Sequence, residues 1–228
     1  IQTYSNIIEY DDKEVEAYFY RGCAKLKLGS TEDALKDFKK LSGTDRIQYL
    51  YGIYEACEEA GSDEGRAYLE QIVKSGGTGA EELYTIGRAY DKLGDTAKAE
   101  EYLTKSSQKG KSPAGFYLGQ IYQRQGDYES ALNCYNKYRE ENGLTAGEYH
   151  VVAECMMSMG DYDSALELNS YMKKNASGTE LQMLEFEEIA VYERKNDYEN
   201  ARTKAQEYVS KYPDDAAGQK EYAFLLTR

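Results

Sequence analysis

The sequence predicts an all-α fold built as a solenoid of stacked helical hairpins, and three observations carry that prediction. First, two helix-period apolar runs flank the connection Gln125-Gly126-Asp127-Tyr128: Leu118, Ile121 and Tyr122 before it, Ala131, Leu132, Tyr135 and Tyr138 after it. Spacings of three and four place each set on one helix face. Gly126 suits the left-handed residue that ends the first helix, and Asp127 suits the N-cap of the second. Second, the unit recurs. Leu83, Ile86, Gly87 and Tyr90 precede Gly94-Asp95, then Ala99 and Leu103; Tyr149, Val152, Ala153 and Met156 precede Gly160-Asp161-Tyr162, then Ala165. Third, the small residue of each first helix is followed twelve positions later by one on the second: Gly22 and Ala34, Gly87 and Ala99, Gly119 and Ala131, Ala153 and Ala165, with Ile189 standing before Ala201 in the last copy.

Composition agrees with this architecture. Of 228 residues 41% are hydrophobic and 30% charged, which suits helices with one wet face. Tyrosine occurs 24 times and tryptophan is absent, so tyrosine takes the large-ring positions between helices. Each repeat packs only on its neighbours, and the expectation is one elongated domain rather than a central core. The net charge of −13 argues against a phosphate backbone or an anionic membrane surface as partner. No apolar run approaches the roughly 20 residues of a membrane span, and the sequence shows no signal peptide or lipidation box.

In chain order, residues 1–12 read as the end of a preceding repeat, with Tyr4, Ile7 and Ile8 at helical spacing and an exit at Glu9-Tyr10-Asp11-Asp12. The matching first helix would lie before Ile1, so the sequence predicts a longer chain with room there for a signal or anchor. Residues 14–41 form the first full copy and 46–73 the second, which is irregular. Its turn is Ala60-Gly61-Ser62-Asp63, Tyr54 stands where the small residue belongs, and Ala67 falls one position late. The glycine-rich stretch 74–79 reads as a hinge or a longer surface loop. Copies three and four, 80–106 and 113–141, are the regular centre; Ser112 is expected to cap and Pro113 to take the first helical position. Copies five and six span 145–174 and 179–211. Tyr212-Pro213-Asp214-Asp215 turns the chain into a terminal helix within 214–228, which is expected to cover the end of the stack.

Little points to chemistry. His150 is the only histidine, and no nucleophile carries a motif around it. Cys23, Cys57, Cys134 and Cys155 lie singly on predicted helices, without zinc or redox spacing, and are expected to be free thiols. The acidic pairs Asp11-Asp12, Glu58-Glu59 and Asp214-Asp215 lack the alternating oxygens of a calcium loop. Gly76-Gly77-Thr78-Gly79 is followed by no Lys-Ser and preceded by no strand, so it is no phosphate loop. Asn175-Ala176-Ser177 is a formal glycosylation triplet. No catalytic, cofactor or metal site is expected.

The repeats resemble the tetratricopeptide repeat, whose period is 34; from Gly87 onward the copies here start 32, 34 and 36 residues apart. The resemblance covers nearly the whole chain, specifically in copies three and four and loosely in copies two and six. It implies a right-handed superhelix of about six hairpins plus a terminal helix, acting as a non-catalytic scaffold that binds a protein or peptide partner in its concave groove. In the family, the residue three before the small position belongs to the inner surface. Here that column is Phe19, Tyr51, Tyr84, Phe116, His150 and Phe186, all ring-bearing. The resemblance therefore implies a ladder of rings along the groove; the alternative is that the rings pack between neighbouring first helices. The family's carboxylate clamp places Lys in this column and Asn four residues later. Those later residues here are Cys23, Glu55, Arg88, Gln120, Glu154 and Ala190, so the clamp is absent. Arg88 and Arg124 are the basic residues of the central groove, with Gln120 between them in the repeat order. A glycan-binding or other small-ligand module, and the sensor half of a larger regulator, are the other functions the sequence admits. The compartment stays open between cytoplasmic and extracytoplasmic.

Overall fold

The computed structural model describes residues 1–41 and 47–228, Ser112 without its side chain. Among these residues there are fourteen α-helices and no strand. Second-type helices are α1 (Gln2–Tyr10), α3 (Thr31–Lys39), α5 (Gly65–Ser75), α7 (Thr96–Gln108), α9 (Tyr128–Asn142), α11 (Tyr162–Lys173) and α13 (Tyr198–Lys211). First-type helices alternate with them: α2 (Val15–Lys27), α4 (Ile47–Glu59), α6 (Ala80–Leu93), α8 (Ser112–Gln125), α10 (Ala146–Ser158), α12 (Gly178–Arg194) and α14 (Ala216–Leu225). The order makes an all-α solenoid of hairpins, opened by a lone second helix and closed by a lone first helix. The chain divides into two compact units, residues 1–114 and 115–228.

The turns follow the capping chemistry of the sequence. Gly94, Gly126 and Gly160 all have φ near +80 to +90°, where a side chain would be strained. Asn196 takes the same place in the last hairpin at φ 61°. The aspartates that follow, Asp95, Asp127, Asp161 and Asp197, each accept a hydrogen bond from the backbone N–H three residues on. Side-chain hydrogen bonds from Lys98, Ser130 and Asn200, and then those backbone bonds, hold the Asp95, Asp127 and Asp197 carboxyls below the usual carboxylate range. The glycine-rich stretch is tied to the start of α6: Glu82 Oε2 accepts from the N–H of both Thr78 and Gly79 at 2.9 Å. The expected cap by Ser112 lies outside the described side chains.

In unit 1 each helix packs on the next from α1 to α3 and from α4 to α7, and α2 also packs on α4 and α4 on α6. Gly22 lets the ring of Phe38 lie against α2; a methyl there would stand 2.4 Å from Phe38 Cε1. Gly87 does the same for Leu103. The buried carboxylate of Asp37 accepts two bonds from Arg21, at 2.7 and 2.9 Å, and one from Lys25 at 2.8 Å, which ties α3 to α2. Copy two corrects the sequence reading. Ala67 is exposed and does not stand at the crossing. Gly65 does, with Tyr54 and Cys57 against the place of its missing Cβ. The large residue on the first helix is thus accommodated by a glycine on the second.

In unit 2 one buried cluster gathers Tyr135, Tyr149, Val152, Met156, Ala165, Leu168 and Leu184, and a second gathers Ile189, Ala201, Ala205, Tyr208 and Leu225. Gly119 faces Tyr135, and Gly218 of α14 faces Tyr208, each too closely for a methyl. Leu225 of the terminal helix is buried in this second cluster, while Phe224 and Leu226 remain exposed.

Candidate functional site

The expected ring column is distributed unevenly between core and surface. In unit 1, the Phe19 ring lies against Gly52 of the next first helix, where a methyl would come within 2.6 Å of it, and touches Tyr20 and Tyr49. Tyr51 is only 4% exposed, edge-on to Tyr54 and covered by the guanidinium of Arg88 at 4.1 Å. It belongs to the core and offers no face to a ligand, a correction to the expected ladder that follows from copy two's displaced packing. Tyr84 is half-buried, with the Arg88 guanidinium and Lys111 Nζ near its ring.

In unit 2, Phe116 and Phe186 are half-buried and lean on tyrosines of their own second helices. Phe116 meets Tyr135 at 4.9 Å and Tyr138 at 5.0 Å between centroids, and Phe186 meets Tyr208 at 5.4 Å. The His150 side chain is 54% exposed, and its Nδ1 lies 2.7 Å from Glu187 Oε1.

The structure adds an element that the column alone did not reveal. Successive first helices are joined by charged pairs: Arg88 to Glu55 at 2.9 Å in unit 1, and Arg194 to Glu154 at 2.9 Å beside the His150–Glu187 contact in unit 2. Burial works against the charge of Arg88, but Tyr51, Tyr84 and Glu55 outweigh it and raise its pKa. The signal was present as opposite charges about one repeat apart.

Gln120 and Arg124 of α8 are brought together. With Gln123 they face Val151, Glu154 and Ser158 of α10 across a cavity of about 430 Å³, with Tyr128 at its edge. Gln123 Oε1 accepts from the Tyr135 hydroxyl at 2.7 Å, so the cavity wall is fixed to the hairpin core. The site presents amides, a guanidinium and a carboxylate beside half-buried rings, which suits hydrogen bonding to a polar chain. Among the described residues no cluster of three or more His, Cys, Asp or Glu side chains is placed to hold a metal. No helix is long and apolar enough to cross a membrane, among the same residues.

Alternating first and second helices, joined by Gly-Asp turns, define the chain as an α-helical repeat protein. Tetratricopeptide-repeat models match residues 81–108, and again 114–143 and 189–215. These stretches of the chain carry tetratricopeptide repeats. Two of these stretches are the regular copies three and four, and the third begins within α12 and runs through α13.

Solved structures resemble it throughout. A tetratricopeptide repeat protein from Parabacteroides merdae is 15% identical, with a TM-score of 0.64 over 99% of this chain and 90% of that one. The pilF protein of Pseudomonas aeruginosa is 16% identical, with a TM-score of 0.62 over 95% and 98%. A chain of the APC/C heterotetramer Cut9–Hcn1 is 15% identical, with a TM-score of 0.63 over 98% of this chain; the chain spans 45% of that larger protein's length. At these identities the likeness is one of fold. No curated protein matches the sequence. Tetratricopeptide repeats generally mediate protein–protein interaction, and such proteins are typically non-catalytic scaffolds.

Proposed function

We propose that this protein is a non-catalytic interaction scaffold that binds an extended or helical segment of a partner protein along its first-helix side. The observation that carries the reading is the cavity between α8 and α10, where Gln120, Arg124 and Glu154 converge. Phe116 stands one helical turn before Gln120 on α8 and supplies a half-buried ring as an apolar anchor. Aromatic anchors beside polar groups carry much of the binding energy in such contacts.

The test is selection of a displayed peptide library on the full chain, followed by calorimetric titration of the selected peptides. Phe116→Ala should weaken binding by about 1–2 kcal/mol or more. Its effect on stability should be smaller than that of the core truncation Leu118→Ala, about 2–5 kcal/mol. Selected peptides that bind Phe116→Ala and Arg124→Ala as tightly as the parent would refute the reading.

A second reading rests on unit 1, where Tyr20 is 48% exposed and stacks on Tyr4 at 5.7 Å and 22°. Flat exposed rings suit a sugar face, and a glycan array with Tyr20→Ala as control tests it. Signals unchanged by that substitution would remove the glycan reading.

A further inference from the structure

A second cavity lies on the other side of the hairpins in unit 2, between the second helices α9 and α11, and encloses about 790 Å³. Its walls have helical spacing. Asn136, Arg139 and Glu140 come from one face of α9, and Ser164, Leu168 and Tyr171 from one face of α11. Met156 of α10 and Leu168 are buried in its lining, while Leu144 and Met172 add half-buried apolar surface. Methionines make such a surface adaptable to differently shaped apolar groups. Tyr171, 61% exposed, stands at its edge.

The charges of this trough are uncommitted. Among the described residues, the side chains of Arg139, Glu140 and Glu167 make no ion pair and no hydrogen bond with the rest of the protein. On the first-helix side of the same unit, Glu154, Glu187 and Arg194 are paired. A trough between two helices, apolar inside and bordered by two free carboxylates against one guanidinium, has the shape and charge for a third helix.

We propose that the trough between α9 and α11 docks an amphipathic helix of a partner protein, its apolar stripe on Met156, Leu168 and Leu144 and its lysines or arginines facing Glu140 and Glu167. Arg139 is then free to donate to the carbonyl oxygens that a helix exposes at its C-terminus. This is the helix-in-groove mode of recognition. The lining of the trough shares no residue with the peptide site between α8 and α10 and comes mainly from the second helices.

The test uses a synthetic amphipathic peptide with leucines at helical spacing and lysines on the remaining face, beside a counterpart in which glutamates replace the lysines. Binding to the full chain is read by fluorescence anisotropy. The lysine peptide should bind with one-to-one stoichiometry and the glutamate peptide at least about tenfold more weakly. Leu144→Asp should weaken the lysine peptide by about tenfold and Glu167→Lys by about fivefold, while Phe116→Ala leaves it within about twofold. Glu167 is exposed, so its reversal does not threaten the fold and keeps the test decisive if Leu144→Asp unfolds the chain. Equal binding of the two peptides, or lysine-peptide binding unchanged by Glu167→Lys, would overturn the proposal. So would binding lost only in Phe116→Ala.

Discussion

Adding one methyl group at Gly119 tests the packing of the hairpins most directly. An ideal Cβ at this position would lie 2.5 Å from Cε1 of Tyr135, 2.8 Å from Cδ1 and 3.1 Å from Cζ. Tyr135 cannot retreat easily. It is fully buried, its hydroxyl donates to Gln123 Oε1 at 2.7 Å, and Phe116 lies against its ring. Glycine-to-alanine in an open helix interior would stabilise by about 0.5–1 kcal/mol, because glycine loses more freedom on folding. Overpacking of a close-packed site costs about 1–3 kcal/mol. The second effect is the larger, so Gly119→Ala should destabilise by about 1–2 kcal/mol, a fall of several degrees in melting temperature for a chain of this size.

Gly147 provides the internal control. It lies in the first turn of α10 with nothing within 4 Å of an added Cβ, so Gly147→Ala should leave stability unchanged or raise it. Urea titrations followed by circular dichroism would measure both. A Gly119→Ala midpoint equal to or above that of the parent would refute the close approach of α8 and α9.

Three further outcomes are expected. Burial opposes the charge of Asp37, but the bonds from Arg21 and Lys25 prevail and hold its carboxyl below the usual range. Its stabilisation is therefore complete above the ordinary Asp pKa and lost as pH falls through the lower folded value, so Asp37→Asn should flatten the acid limb of the stability curve; urea midpoints from pH 2 to 6 measure this. At pH 7, Asp37→Ala should cost about 2–4 kcal/mol, since it leaves two partly buried cations unpaired. Burial, then the neighbouring carboxylate of Glu221, raises Glu193 to about 7 from 4.5. Stability from this group is full below pH 4.5 and lost as pH rises through about 7, so Glu193→Gln should gain melting temperature over the parent between pH 5 and pH 8; a constant difference would contradict the pairing. All four cysteines are unbridged, and burial pushes the Cys23 and Cys155 thiols to about 11. Ellman's reagent should find four thiols in denaturant without reductant and react slowly with the native protein at pH 8; a count of two would mean a disulfide.

The fold was legible because its punctuation is local. A glycine with positive φ followed by a capping aspartate needs only adjacent residues, and Gly94-Asp95, Gly126-Asp127 and Gly160-Asp161 all act as read. Copy two was misread because its crossing depends on volume shared across two helices. Tyr54 looked like an intruder at a small-residue position, yet Gly65 supplies the missing space from the other side. The ring column was harder still. Its sequence spacing is regular, but whether a ring is covered depends on what the next helix offers. Gly52 opens a seat for Phe19, Arg88 closes over Tyr51, and Tyr138 meets Phe116. The trough between α9 and α11 left little mark in the first-helix pattern, because apart from Met156 of α10 and the connection at Gly143 and Leu144 its residues belong to the second helices.

The volume trade extends beyond copy two and accounts for how degenerate repeats keep one geometry. Sixteen residues after the small position stands its partner on the second helix: Phe38 after Gly22, Leu103 after Gly87 and Tyr135 after Gly119. Where the first member grows to Ala153, the residue at that interval is Asn169, fully buried and donating to the Leu184 carbonyl at 2.8 Å. Where it grows to Ile189, the residue is Ala205, also fully buried and in the same cluster. Glycine therefore meets a ring or leucine, while at the same interval alanine is matched by a medium side chain and isoleucine by alanine. A close-packed interior requires this compensation, since a void or an overlap at any crossing would cost stability. The family's consensus is thus one solution to a constant-volume condition, and copies two and six, with Tyr54 and Ile189 on the first helix, still meet the condition by placing the small residue, Gly65 or Ala205, on the opposite helix.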